Sequence, residues 1–417
     1  MWPWIKRWRD WVMNDLLPTY RIGAQPRALH FSFEKSGLVL HDQPIPWNAE
    51  AVLVEATLRL PSAGMRRKQD FQLRVPGQDP RPPDNLRKQE SVLPPDEHRY
   101  SLSFRVVPPT DNVTADLLWR GRSLGQLELP VLKRDEFFSN LRLQMPTLYV
   151  RLGEESVACQ TFVSTQCKGL LASALLTSPT SLAPLADMDF QVEFRSERSG
   201  SETRVPVCLS STQLTGRQAL LTVTPHKHPR RMGTWTATWL LGDRVLATQR
   251  VRGISRQQFH RSLRVCDTRF VLQKPDGTVT LARQLPPAEQ RGRVGPCFLV
   301  VSNEPGMAGL CPLRVTAQVA GAIQPPLLLE QDVLVTDGPT VVAPGTLDPI
   351  DLAQVSAFDL SLKGRSLCLL PLSPAPAAGF TSEGGFKAPP EYTWSHAADE
   401  ELNERLSRLL EEKFKQD

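Results

Sequence analysis

No cysteine occurs in the first 158 of the chain's 417 residues, and the seven that follow (Cys159, Cys167, Cys208, Cys266, Cys297, Cys311, Cys368) are odd in number and never spaced C-x-x-C. That pattern argues against a disulfide framework and against a zinc site, and it leaves most of the thiols as small buried hydrophobes. Long apolar runs are also missing. None approaches the roughly 20 residues needed to cross a bilayer. Lys6, Arg7, Arg9 and Asp10 interrupt the only N-terminal stretch that could have served as a secretory h-region. The expectation is a reducing, cytoplasmic location, in which the sequon Asn112-Val113-Thr114 is incidental. Charge of one sign is scarce as well: the formal net charge is +5 with no long basic block, so nucleic acid is not the expected partner. Tyrosine is limited to four residues, too few to suggest the exposed aromatic platforms of a carbohydrate module.

The signature motifs of catalysis and cofactor binding are mostly absent too. There is no P-loop, no H-E-x-x-H, no G-x-G-x-x-G and no paired-carboxylate pattern, so no cofactor, metal ligand or catalytic residue is assigned. One literal match exists, Gly121-Arg122-Ser123-Leu124-Gly125, a G-x-S-x-G. A nucleophile elbow requires a strand-to-helix turn, whereas this serine falls in what reads as a β-hairpin, so turn chemistry explains it better than a hydrolase does. His226-Lys227-His228-Pro229-Arg230-Arg231 forms a basic inter-strand loop with no carboxylate or cysteine nearby in sequence. It reads as solvated. The functional alternative has His226, Lys227, His228, Arg230 and Arg231 meeting phosphate, nucleic acid or an acidic protein surface.

What the chain does have is proline and repetition. It is 41% hydrophobic and 22% charged, ordinary for a globular protein, but carries 37 prolines spread between short apolar runs, as strands joined by turns would require. Residues 113–143 lie over 235–265 without a gap: Thr114 meets Thr236, Leu118 meets Leu240, Leu124 meets Leu246, Phe137 meets Phe259 and Leu141 meets Leu263. A weaker third copy places Lys363-Gly364-Arg365-Ser366-Leu367 over Arg120-Gly121-Arg122-Ser123-Leu124, and Phe380 over Phe137. Apolar runs end near Pro61, Pro179 and Pro305 at corresponding points. A period near 120 residues is too long for a solenoid unit, so each copy should be a domain with its own core.

The expected fold is therefore all-β, three tandem immunoglobulin-like β-sandwich domains with short amphipathic helices at the two ends. The expected divisions are residues 1–20 for the first helix, 21–143, 144–265 and 266–386 for the sandwiches, and 387–417 for a linker and the last helix. The fixed Phe after each final hairpin should pack at a domain junction. Val75–Glu97, rich in proline, is expected to be a surface loop.

The N-terminal helix places Trp4, Trp8 and Trp11 on one face. The C-terminal helix carries a stripe of Leu402, Leu406, Leu409, Leu410 and Phe414, with Glu404–Arg408 among its i,i+4 pairs. Both stripes are candidate partner-binding surfaces, and docking on the neighbouring sandwich is the competing reading. The functional expectation is a non-enzymatic cytoplasmic adaptor or scaffold that binds other proteins through its helices and loops, with homo-oligomerisation through the C-terminal helix as one form of such binding. The alternative is a peripheral protein held at a membrane surface by the Trp helix.

Overall fold

A computed structural model describes residues 28–41, 43–61, 67–89, 97–225, 232–287 and 292–372, together with 404, 406–408 and 410. Alternation dictates the strands. Within Ala51–Pro61 the residues Val52, Val54, Ala56 and Leu58 point into a core, and Gln218–Val223 alternates exposed and buried without exception. The fold is three tandem immunoglobulin-like β-sandwiches. Their cores centre on Phe33, Phe71 and Phe104 in the first copy, Phe162, Phe194 and Trp239 in the second, and Phe298, Phe358 and Leu313 in the third.

In the first copy a five-stranded sheet runs Leu38–His41, Ala28–Lys35, Ala51–Pro61, Glu97–Val106, Asn85–Gln89. It faces a three-stranded sheet of Phe71–Arg74, Val113–Trp119 and Arg122–Leu129. A short parallel pairing of Ile45–Pro46 with Val131–Leu132 closes one side. The second copy has Glu155–Ala158, Arg142–Leu152, Cys167–Thr177 and Gln218–Val223 in one sheet; the other holds Glu202–Pro206, Phe190–Ser196, Gly233–Leu241, Arg244–Ile254 and Thr161–Val163. The third repeats this plan with Val279–Ala282, Leu263–Gln273, Arg293–Ser302 and Thr340–Val342 against Leu327–Val335, Met307–Val319, Val355–Leu362 and Arg365–Pro371.

The first and second copies differ most at one strand. In the second, the chain turns straight back from Phe190–Ser196 into Glu202–Pro206, which stays in the same sheet. In the first, Pro80, Pro82 and Pro83 occupy the stretch that would have to fold back on Phe71–Arg74, and only an isolated bridge from Leu73 to Arg81 forms. Proline brings no N–H to a ladder, so the chain crosses to the opposite sheet and pairs as Asn85–Gln89. The stretch Val75–Glu97 is thus not simply a loop.

Each copy opens with its long first strand, Arg142–Leu152 in the second and Leu263–Gln273 in the third, so cuts after 143 and 265 fall just inside a strand. Ahead of each lies a short helix, Arg134–Asn140 and Arg256–Ser262, whose Phe137 and Phe259 are buried at the junction. Ser255 caps the second of these, accepting from the Gln258 N–H at 3.0 Å. Phe380 lies outside the described residues.

Candidate functional site

The G-x-S-x-G serine sits where its turn chemistry puts it. Arg120 and Gly121 both have positive φ (47° and 81°), as do Lys363 and Gly364 (50° and 80°), the signature of a two-residue type I′ hairpin. In the second copy Gly242 alone is positive, as a type II′ turn requires. Two residues further on, all three hairpins carry a bulge, and the extra residue is Leu124, Leu246 or Leu367. Ser123 donates across the hairpin to the Asp116 carboxylate, and Ser366 does the same to Asp359. The serine is therefore a cross-strand partner of a carboxylate in an exposed turn, with no histidine base in the arrangement. Among the described residues no cluster of three or more His, Cys, Asp or Glu could hold a metal ion.

Three of the thiols are similarly quiet. Burial pushes Cys159 and Cys311 up to about 12 and Cys167 up to about 11, so none is a thiolate at neutral pH. Cys167, Cys297 and Cys311 are buried, Cys159 and Cys368 partly so, and Cys208 and Cys266 are exposed, a more even split than the sequence suggests.

The most elaborate constellations lie at the two junctions. Between the first and second copies, Trp47 stacks in a tilted cluster with Phe137 and Phe138 at 5.6 and 5.8 Å. Ala183 of the second copy completes the first copy's core. Around this centre the contacts are made by side chains. Lys35, 3% exposed, reaches Asp187, which also accepts from Ser36 Oγ at 2.6 Å. Those two donors hold the Asp187 carboxyl below its ordinary value. Asn48 donates to the Pro184 carbonyl at 3.0 Å, Gln43 accepts from the Ser181 N–H at 3.1 Å, and Arg244 donates to the Phe138 carbonyl at 2.9 Å.

Between the second and third copies the backbone itself makes the join. Thr161–Val163 pairs in parallel with the last strand of its own copy on one side and with Met307 and Ala308 of the third copy on the other. The result is a single nine-stranded sheet shared by the two sandwiches. Gln166 reinforces it as a backbone mimic, donating to the Leu310 carbonyl at 2.6 Å and accepting from the Leu310 N–H at 2.9 Å. Phe259 and Val163 press against Gly309, where an added Cβ would lie 2.9 Å from both side chains.

Of the residues expected to meet partners, Trp4, Trp8 and Trp11, the loop residues His226, Lys227, His228, Arg230 and Arg231, and Leu402, Leu409 and Phe414 lie outside the described residues. Leu406 and Leu410 are 4% and 3% exposed. Leu410 packs against Val271, Val279, Cys297 and Ala343 on the outer face of the third sandwich, so part of the C-terminal stripe is docked on the chain itself. Glu404 and Arg408 pair at 3.6 Å. Sequence periodicity found the junction phenylalanines but missed Lys35, Asp187, Thr161 and Gln166. The signal for Lys35 was available only as a lone cation in an otherwise apolar-alternating strand.

No family model matches the chain. No curated protein matches it either. Solved structures with similar folds include domains 6–7 of the surface layer protein SbsC, at 12% identity and TM-score 0.22, covering 49% of this chain and 89% of that one. The Escherichia coli adhesin FdeC follows at 8% identity and TM-score 0.23, covering 84% and 99%, and invasin, a bacterial integrin-binding protein, at 8% and 0.22, covering 83% and 60%. The tandem sandwich architecture of this chain is read from its own strand order and register. Among the described residues no helix is long and apolar enough to cross a membrane.

Proposed function

We propose that the chain is a non-enzymatic cytoplasmic scaffold that binds protein partners on surfaces held at fixed spacing. The observation that supports this best is the shared sheet: Thr161–Val163 joins the second and third copies through main-chain pairing, so the two sandwiches need no reorientation relative to each other when a partner binds. Preorganisation of that kind removes part of the entropy cost of association. The G-x-S-x-G hairpin contributes a turn and no nucleophile in this reading.

Affinity capture from the native cells tests it, with the full chain beside one lacking residues 1–17 and one ending at Pro390. Discrete proteins at fixed stoichiometry, recovered by the full chain and lost from one of the shortened ones, are the expected result. A chain recovered alone that instead sediments with phospholipid vesicles through residues 1–17 would replace the scaffold with the membrane-bound alternative.

A further inference from the structure

Alternation puts a tyrosine and three leucines on the outside of the second copy's smaller sheet. Leu148, Val150, Leu170, Ala172, Ala174 and Leu221 point into the core, so the residues between them face out. The register places Tyr149 beside Leu171 and Leu175 beside Leu220, with Thr147, Ser173 and Thr222 in the rank between. Leu220 is 65% exposed and the other three are half-buried, and among the described residues Tyr149, Leu171, Leu175 and Leu220 belong to no core cluster. Charge stays at the ends of this face. Arg142 lies opposite Thr177 at one end, and at the other Arg151 and Lys168 both pair with Glu154, at 3.3 and 3.2 Å.

The same face is finished differently in the other two copies. In the first it is polar: Glu34 pairs with Arg105 at 2.6 Å, and His30 stands 3.9 Å from Glu55. In the third it is apolar and covered. Gly295 and Cys297 stand there where Gly169 and Leu171 stand in the second copy, and Leu410 of the C-terminal stripe packs on Cys297 together with Val271, Val279 and Ala343. The second copy has neither ion pairs across the centre of the face nor, among the described residues, a helix over it.

We propose that this face is the dock of the chain's own N-terminal segment, with residues 1–17 laid along it as a helix through Trp4, Trp8 and Trp11. The proposal does not rest on the scaffold reading. Size argues for a tethered occupant. The face measures about 14 Å from Leu171 to Leu175 and about 14 Å across its four strands, roughly 200 Å² in projection. A stable complex between separate proteins buries about 800 Å² a side, so a second copy or an untethered partner gains too little here, whereas a tether raises the effective concentration of a weak contact.

Chemistry and reach then select the segment. Of the two apolar stripes in the sequence, the C-terminal one is engaged on the third copy, and the other, from Trp4 to Leu16, is about 18 Å long as a helix. Indole suits a face in which a rank of hydroxyls divides two apolar ranks, because its ring buries apolar area while its N–H finds an acceptor in Thr147, Ser173 or Thr222. The strand Ala28–Lys35 runs about 24 Å toward the second copy and ends where Lys35 meets Asp187. Close by, the short helix Ser211–Thr215, three residues ahead of Gln218 on the face, lies against Leu38–His41. Residues 18–27 span up to about 35 Å, which brings Leu16 down at the Gln218 end and sets Lys6 toward Lys168.

The test is limited trypsin digestion of the full chain at Lys6, Arg7 and Arg9, read beside amine-reactive cross-linking on a mixture of isotopically labelled and unlabelled chains. Leu175→Asp combined with Leu220→Asp should speed cleavage at these three sites by about tenfold or more while leaving the thermal transition in place. Trp8→Ser combined with Trp11→Ser should do the same without touching either sandwich. Leu369→Asp, on an exposed leucine of the third copy, should change the rate by less than about twofold. Cross-links should join Lys6 to Lys168 within one chain.

Cleavage of the unaltered chain as fast as that of the Leu175/Leu220 variant would overturn the proposal. So would Lys6 links to Lys68 or Lys88, which place the segment on the first copy, or links that join labelled to unlabelled chains, which make the occupant a second copy. Protection that appears only when phosphatidylserine vesicles are added would assign the Trp stripe to a lipid surface instead.

Discussion

The two junctions join the same kind of domain with the same short helix, yet by different chemistry. At the first, an aromatic cluster around Trp47 and Phe137 is ringed by side-chain contacts, of which Lys35–Asp187 and Arg244–Phe138 are the chief. At the second, Thr161–Val163 runs one sheet through both domains. Backbone ladders tolerate substitution of the side chains they carry, whereas side-chain latches are lost one residue at a time. The second and third copies should therefore behave as one cooperative unit and the first as its separable neighbour.

The largest test of that contrast is Phe259→Ala. Phe259 is fully buried, and its removal should cost about 3–5 kcal/mol. In calorimetry of the full chain the transition of the second and third copies should move down as one. Phe137→Ala at the first junction carries a similar cost but should leave a separate transition for the first copy. A Phe259→Ala chain whose second and third copies melt apart would break the comparison.

Next in size is Gly309→Ala. Its Cβ would stand 2.9 Å from both Phe259 and Val163, and overpacking of this kind costs about 1–3 kcal/mol. Adding Val163→Ala should recover part of the loss, because it removes one of the two contacts. Unchanged stability on Gly309→Ala would mean that the strand can draw back, and that the shared sheet is looser than its register indicates.

At the first junction Asp187→Asn leaves the buried Lys35 without its counter-charge. Because the Asp187 side chain is 56% exposed, water compensates much of this, and we expect a loss of about 1–2 kcal/mol in docking of the first copy. Acid should act in the same direction. The Asp187 carboxyl is held below 3.8, so its contribution is fully present above that pH and is lost as the pH falls through its lower folded value. Interdomain distance followed by spin labels on the first and second copies would show the separation, and Asp187→Asn should abolish the acid step.

Much of this architecture is legible in the chain. The gapless match of residues 113–143 to 235–265 located the last hairpin, its turn and both junction phenylalanines, because those positions are set by local geometry that repeats. Leu124, Leu246 and Leu367 recur because each fills a bulge, a reason that becomes visible only once the register is known. The switch of Asn85–Gln89 to the opposite sheet was hidden: prolines announce that a hairpin is blocked but not where the chain goes instead. The rank of Arg195, Thr236 and Arg250 on the second copy's larger sheet was hidden for another reason. Arg195 and Arg250 are far apart in sequence and meet only through the pairing of both with Gly233–Leu241.

The smallest expected effect separates the junctions by pH. At the second junction His260 occupies the place that Phe138 fills at the first, and it packs on Phe259 with ring centroids 5.9 Å apart. Its Nε2 is buried without a hydrogen-bond partner, and burial, followed by the positive charges of Lys363 and Arg256, holds it below 6.5. Between that lowered value and 6.5 the unfolded chain binds a proton that the folded chain refuses, so stability rises with pH across this window and falls as the pH drops from 6.5. The second junction should thus begin to weaken in a range where Asp187 at the first is still fully ionised. His260→Phe, which copies the first junction, should flatten the dependence of the second-and-third-copy transition between 6.5 and the lowered value, and leave the step below 3.8 at the first junction untouched. A slope that persists in His260→Phe would place the titrating group elsewhere and remove histidine from the contrast between the two joins.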